Sequence, residues 1–251
     1  MKKSIIGIIP ARYASTRFPG KPLVDIAGKT MIQRVYEQAK KCSSLSDVVV
    51  ATDDERILAV VEKFGGTACM TASSHPSGTD RCAEVVTTMS LQADAVINIQ
   101  GDEPFIDPKQ IDLICKCFDD HRTELATLIK KISSSEVLFN PNSPKVIVDS
   151  DQFAIYFSRH AIPYLRGVEQ KEWLDRHTFY QHIGIYGYRV DILKKITKLA
   201  PSSLEKAESL EQLRWLENGY KIKTAITSGD TVAIDTPEDL EKVLKTLTAA
   251  R

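Results

Sequence analysis

A chain of 251 residues, with 33 Lys plus Arg against 33 Asp plus Glu, is long enough to bury a full core and carries no net field to draw nucleic acid. Its five cysteines, at 42, 69, 82, 115 and 117, are odd in number and follow no metal-ligand spacing, so they read as packing residues of a reduced, cytoplasmic protein. No stretch approaches the roughly 20 apolar residues a membrane helix needs, and the apolar run after Lys2-Lys3 is too short for a signal peptide, with Arg12 following at once.

The first element is an apolar strand, Ile5–Ile9. From its carboxyl end hangs Pro10-Ala-Arg-Tyr-Ala-Ser-Thr-Arg-Phe-Pro-Gly-Lys-Pro-Leu23, with cations at 12, 17 and 21. Strand ends of this kind are where open α/β sheets bind anions. The two arginines offer planar forks to phosphate oxygens and Lys21 a point charge. A solvated basic loop is the plainer alternative, but prolines at 10, 19 and 22 stiffen the backbone and favour a pre-organised phosphate cradle. Gly28-Lys29-Thr30 imitates the end of a P-loop. The glycine needed five residues earlier is Leu23, so a Walker site is rejected, and no GxGxxG is present.

Strands at Val48–Ala51, Thr67–Met70 and Ala95–Ile99 then alternate with helices at Met31–Lys41, Asp54–Phe64, Thr79–Met89 and Pro108–Phe118. Thr30 and Gln33 form a capping-box pattern for the first helix. Such alternation predicts a mostly parallel sheet with helices on both faces, and chemistry at the carboxyl ends of its strands. Ser77-Gly78-Thr79-Asp80-Arg81 is an ordinary helix start that also offers donors to a base or ribose. Asp102 emerges from the strand end Asn98-Ile-Gln-Gly-Asp-Glu-Pro104 beside a glycine. A single carboxylate there suits Mg²⁺, and Asp107 is the better placed cap for the next helix.

Beyond about Leu125 the pattern changes to antiparallel strands at Ala126–Ile132, Lys145–Asp149, Phe153–Phe157 and Tyr180–Tyr188, read as a lid or an interface. Arg159, His160, His182, Tyr186, Glu211 and Gln212 form a later polar group. Each alone reads as a surface residue or a satisfied core residue, His182 as structural. A helix at Leu210–Asn218, strands at Lys221–Thr227 and Thr231–Ile234, and a helix from Pro237 to Leu247 complete the chain, the last with Thr236 as N-cap and Pro237 at N1. Asp235, just before it, reads alone as a cap; convergence with Asp102 on one ion would make it a ligand. The expected division is 1–125, 126–190 and 191–251.

Six blocks spread over nearly the whole chain resemble the signatures of the 3-deoxy-manno-octulosonate (Kdo) cytidylyltransferases: 10–23, 75–81, 99–104, 181–189, 208–214 and 234–240. They stand in the family's order, with small departures at Phe18, Pro76 and Cys82 that remove no charged group. The resemblance implies a Rossmann-like nucleotidyltransferase sheet carrying an inserted antiparallel dimerisation section. It also implies transfer of CMP from CTP to Kdo, with loss of pyrophosphate, for lipopolysaccharide assembly in the cytoplasm of a Gram-negative cell. By that likeness Arg12 and Lys21 hold the triphosphate, and Lys21 stabilises the leaving pyrophosphate. Ser77, Gly78, Arg81 and Gln100 bind the nucleotide, and Asp102 and Asp235 bind Mg²⁺. Arg159, His182, Tyr186, Glu211 and Gln212 take the sugar acid, and the protein is a homodimer without nucleic-acid or membrane partners.

Overall fold

The computed structural model describes residues 3–14, 18–229 and 232–249. The chain forms two compact units, one of Met1–Asp112 with Gly229–Arg251 and one of Leu113–Ser228. These boundaries fall elsewhere than the divisions at 125 and 190, because residues 191–228 stay with the strands of the middle section.

The first unit opens with β1 (Ile5–Ala11), followed by a 3-10 turn at Lys21–Leu23 and a two-stranded hairpin of β2 (Asp25–Ile26) and β3 (Lys29–Thr30). Then come α1 (Met31–Ala39), β4 (Asp47–Thr52), α2 (Glu55–Lys63), β5 (Thr67–Met70), α3 (Gly78–Thr88) and β6 (Ala95–Asn98). The large strands lie in the order β6-β1-β4-β5, and every pairing is parallel. Burial on both faces explains the near-continuous apolar runs: in β1, Ile8 and Ile9 are fully buried, each stabilising by about 1.5–3 kcal/mol. α1 buries Met31, Ile32, Val35, Tyr36 and Ala39 at helical spacing. Thr30 Oγ1 caps it by accepting from Gln33 N, and Gln33 Nε2 donates to Glu37 Oε1 one turn on. The hairpin turn uses positive φ at Ala27 and Gly28, and Gly28-Lys29-Thr30 runs from it into β3, so it is not the strand–loop–helix of a P-loop.

α4 (Pro108–Cys117), capped by Asp107, carries the chain on to the second unit. There β7 (Leu125–Lys131), α5 (Ser135–Phe139), β8 (Lys145–Val148), β9 (Ala154–Ser158), α6 (Trp173–Arg176) and β10 (Tyr180–Arg189) follow in turn. α7 (Val190–Ile196), α8 (Ser203–Glu208), α9 (Gln212–Glu217) and β11 (Ile222–Ile226) complete the unit. β7–β10, β10–β8 and β8–β9 pair antiparallel, as expected for this section, while β11 runs parallel to β7. The short helices α5 to α8 were not expected; each is brief and has too few turns to print a clear periodicity.

α10 (Pro237–Ala249) belongs to the first unit. Its Leu240, Val243, Leu244 and Leu247 pack on a core of Ile26, Met31 and Ile234. Thr236 caps it by accepting from Asp239 N, and Asp239 Oδ2 accepts from Thr236 N in return. The short strand expected before it is not formed: residues 232–234 have no regular structure, and Thr231 lies outside the described residues.

Candidate active site

In the first unit three strand-end segments meet at glycines. A Cβ on Gly101 would stand 2.6 Å from the Pro10 carbonyl oxygen. One on Gly78 would stand 3.3 Å from both Pro10 and the Asn98 side chain. The end of β1 and the loop after β6 are therefore packed backbone to backbone, and the start of α3 lies close against the Pro10 and Asn98 side chains. Gly20, with φ +73, turns the first of them so that Lys21 begins the 3-10 turn.

Lys21 Nζ donates to Asp102 Oδ2 at 2.8 Å and to Asp235 Oδ1 at 3.1 Å. The segment carrying Asp235 is fixed beside the loop after β6 by Ile234 N, which donates to the Asp102 carbonyl at 2.9 Å. The structure thus supplies the convergence that sequence alone left open: two carboxylates face one cationic centre, with a net charge of −1 for the trio. Glu103 stands next to them and is only 8% exposed. Burial, with the Asp102 charge second, pushes its carboxyl up to about 7.

The other cations differ in placement. Arg12 is half exposed, with Nε 3.8 Å from Asp53 Oδ2. Arg81, only 1% exposed, donates to Asp53 Oδ2 at 3.0 Å and to Thr71 Oγ1. Arg17 lies outside the described residues. Ser77 Oγ caps α3 by accepting from Asp80 N at 3.2 Å, and Gly78 is the first helical residue. Gln100 follows β6, its carbonyl accepting from Glu103 N.

Arg159, His182, Tyr186, Glu211 and Gln212 all lie in the second unit. Arg159 donates Nε to the Glu208 carbonyl at 2.6 Å, Nη1 to Pro141 O at 3.0 Å and Nη2 to Ser209 O at 3.2 Å, so its guanidinium has carbonyl partners and no carboxylate among the described residues. His182 lies edge-on to Phe157 and beside Tyr186, each 5.2 Å away, with Nε2 3.0 Å from Thr127 Oγ1. Burial pushes its imidazole down to about 3, so it is neutral. The Tyr186 hydroxyl and Gln212 Nε2 are buried without a hydrogen-bond partner among the described residues. Burial first, then the Tyr188 and Glu211 charges, raise the Tyr186 phenol well above its usual value. The Tyr186 and Gln212 atoms are two of four such orphans among the described residues of the second unit, the others being Gln152 Oε1 and Ser202 Oγ, and a polar ligand would satisfy those it reaches.

Among the described residues no three His, Cys, Asp or Glu side chains group to hold a metal. Two carboxylates gathered on an ammonium nevertheless fit Mg²⁺, which keeps most of its coordination for water and phosphate. Asp53 was not among the residues expected at the site. Asp53 sits in Thr52-Asp53-Asp54 at the end of β4, where its rank as a strand-end acid was the available signal.

The sequence profile described as cytidylyltransferase matches residues 6–222. The chain belongs to the cytidylyltransferase family. A 3-deoxy-manno-octulosonate cytidylyltransferase from Parabacteroides distasonis is 60% identical over 243 residues, covering 95% of this chain and 96% of its own length. The enzyme of that name from Cytophaga hutchinsonii is 59% identical over 244 residues, covering 97% of each. Among solved structures, a CMP:2-keto-3-deoxy-manno-octonic acid synthetase complexed with CTP superposes with a TM-score of 0.90 at 44% identity, covering 99% of this cytidylyltransferase and 100% of that chain. The nucleotidyltransferase fold expected from the sequence is the one present, with a mostly parallel sheet and helices around it.

Proposed function

We propose that this cytidylyltransferase transfers CMP from CTP to 3-deoxy-manno-octulosonate, releasing pyrophosphate. The observation that carries the reading is the Lys21–Asp102–Asp235 cluster, in a chain 60% identical to an enzyme of that name. The anomeric hydroxyl oxygen of the sugar attacks the α-phosphorus of CTP, the bond to the bridging oxygen breaks, and pyrophosphate departs while the hydroxyl loses its proton. Such a transfer is catalysed chiefly by positioning and by neutralising charge on oxygens.

Arg12 and Lys21 hold the triphosphate, and Lys21 meets the charge that grows on the leaving group. Ser77, Gly78 and Gln100 present donors and close backbone to the nucleotide, with Arg81 behind them. Asp102 and Asp235 would hold Mg²⁺, which when bound neutralises phosphate oxygens and makes the α-phosphorus more electrophilic. Neutral His182, the unpartnered Tyr186 hydroxyl and Gln212 amide, Glu211 and Arg159 receive the sugar's hydroxyls and carboxylate.

The place of this reaction is the cytoplasm of a cell that builds lipopolysaccharide. That no helix among the described residues is long and apolar enough to cross a membrane is in keeping with this. A homodimer through the second unit is supported by exposed Phe139, Ile155 and Tyr164, the last 72% accessible.

The test is pyrophosphate release with CTP and Mg²⁺, offered Kdo, N-acetylneuraminate or no sugar, with EDTA as control. Release with Kdo alone, abolished by EDTA, is expected. Release with another sugar overturns the acceptor, and none with any sugar from protein that binds CTP makes the chain a nucleotide sensor.

A further inference from the structure

Two consecutive acids at the end of β4 grip two consecutive residues of the phosphate loop. Asp53 Oδ2 lies 3.8 Å from Arg12 Nε. Asp54 takes both Nε and Nη2 of Arg56, at 2.9 and 2.6 Å, and the Arg56 guanidinium carbon stands 3.3 Å from the centre of the Tyr13 ring. Arg12 and Tyr13 are thus tied to the same short segment by separate contacts.

Behind Asp53 stands Arg81, which is 1% exposed. Its Nη2 donates to the same Asp53 Oδ2 at 3.0 Å and its Nη1 to Thr71 Oγ1. Thr71 is in turn locked to β4, its N and Oγ1 donating to the Thr52 carbonyl at 2.8 and 3.1 Å. The buried guanidinium cannot follow a ligand outward without giving up this frame.

We infer that Asp53 is a positioning residue for Arg12, and that Arg81 acts through Asp53 rather than on the nucleotide. The charge balance makes the arrangement workable. A lone carboxylate beside Arg12 would compete with phosphate, but the buried Arg81 neutralises Asp53. The trio keeps one net positive charge, carried by the exposed member. Asp53 meets the Nε edge of Arg12, which leaves the two terminal nitrogens for phosphate oxygens. The neighbouring Lys21 trio carries one net negative charge, as a divalent cation requires. Positive and negative centres are therefore separately supported, the first on Asp53 and the second on Lys21.

This inference rests on the reading of Arg12 as a triphosphate ligand, and the two are separable by a double-mutant cycle. CTP KM, Kdo KM and kcat are measured by pyrophosphate release for the parent, Arg12→Ala, Asp53→Asn and the double variant. Asp53→Asn is expected to raise CTP KM about three- to fivefold, the worth of a partly exposed ion pair, with Kdo KM and kcat changed less than twofold. Added to Arg12→Ala, it should raise CTP KM no further. If its effect is the same with and without Arg12, or spreads equally over both substrates, Asp53 merely supports the fold and the inference falls. Tighter CTP binding in Asp53→Asn would also overturn it, marking Asp53 as a competitor of phosphate. If Arg12→Ala itself leaves CTP KM unchanged, the phosphate reading fails and takes the positioning role with it. Should Asp53→Asn strand the buried Arg81 and unfold, Asp53→Asn with Arg81→Gln removes both charges and gives the same cycle against Arg12→Ala.

Discussion

Lys21 holds Asp102 and Asp235 together at 2.8 and 3.1 Å, the place proposed above for a divalent ion. Replacing Lys21 by methionine removes the ammonium that stands between the two carboxylates. Lys21→Met should lower kcat by roughly two orders of magnitude, the scale for removing one charge-stabilising group. Its thermal midpoint should also respond more strongly to added Mg²⁺ than the parent's does, since the divalent ion then replaces the positive charge lost with Lys21; equal responses would argue that the carboxylates do not share an ion. Tyr186 gives a complementary case. Its buried hydroxyl has no partner among the described residues, and Thr127 nearby is committed to His182 and the carbonyls of Ile183 and Ile185. Tyr186→Phe should keep or slightly raise the thermal midpoint while raising Kdo KM roughly three- to tenfold, the worth of a hydrogen bond of about 1 kcal/mol. A loss of stability with unchanged KM would make the hydroxyl structural.

At the scale of elements, the site depends on how closely the segments after β1 and β6 approach. Gly101→Ala places a Cβ 2.6 Å from the Pro10 carbonyl, a backbone atom that cannot turn aside. The loops must part, Asp102 moves from Lys21, and kcat should fall at least about tenfold in a protein that still unfolds cooperatively; parent-like turnover would show that the loops have slack. The same elements show what the sequence revealed. Apolar runs such as Val48–Ala51 and Ala95–Ile99 locate β4 and β6 within a residue or two, because strands buried on both faces print their burial directly. α1 and α3 were legible from apolar spacing and caps. The helices α5 to α8 were not, being only 4 to 7 residues long. Of the site, Arg12, Lys21 and Asp102 stood out through their strand-end context. Asp235 did not, since a carboxylate before a helix looks like a cap until the fold brings it to Lys21. Asp53 hid for the opposite reason: its ion pair with Arg81, joining the end of β4 to α3, leaves no spacing signature.

For the whole molecule, acid is the condition that should unsettle the fold by a route residing in the second unit. His182 has its folded value near 3, below the ordinary 6.5, so between those values the unfolded chain holds more protons than the native one. Stability from this residue is complete above about pH 6.5 and is lost as pH falls. Between pH 7 and pH 5 urea midpoints should therefore show the parent losing roughly 2 kcal/mol relative to His182→Gln, a comparison in which the opposite contribution of Glu103, with its carboxyl at about 7, is common to both; the same slope in both proteins would place the acid sensitivity elsewhere. A different consequence follows from the way the first unit is assembled from two distant stretches of chain. Lys21 and Asp102 are 81 positions apart, but Lys21 and Asp235 are 214 apart, and the segment bearing Asp235 seats itself only with α10 against Ile26 and Met31. During synthesis, which proceeds from the N-terminus, the parallel sheet and the phosphate loop leave the ribosome long before their second carboxylate exists. A ribosome that stalls at Ser228 has made every strand described here without Asp235, so on the proposed reading an unfinished molecule has no means to spend CTP, and turnover begins only when the polypeptide has closed back on its own beginning.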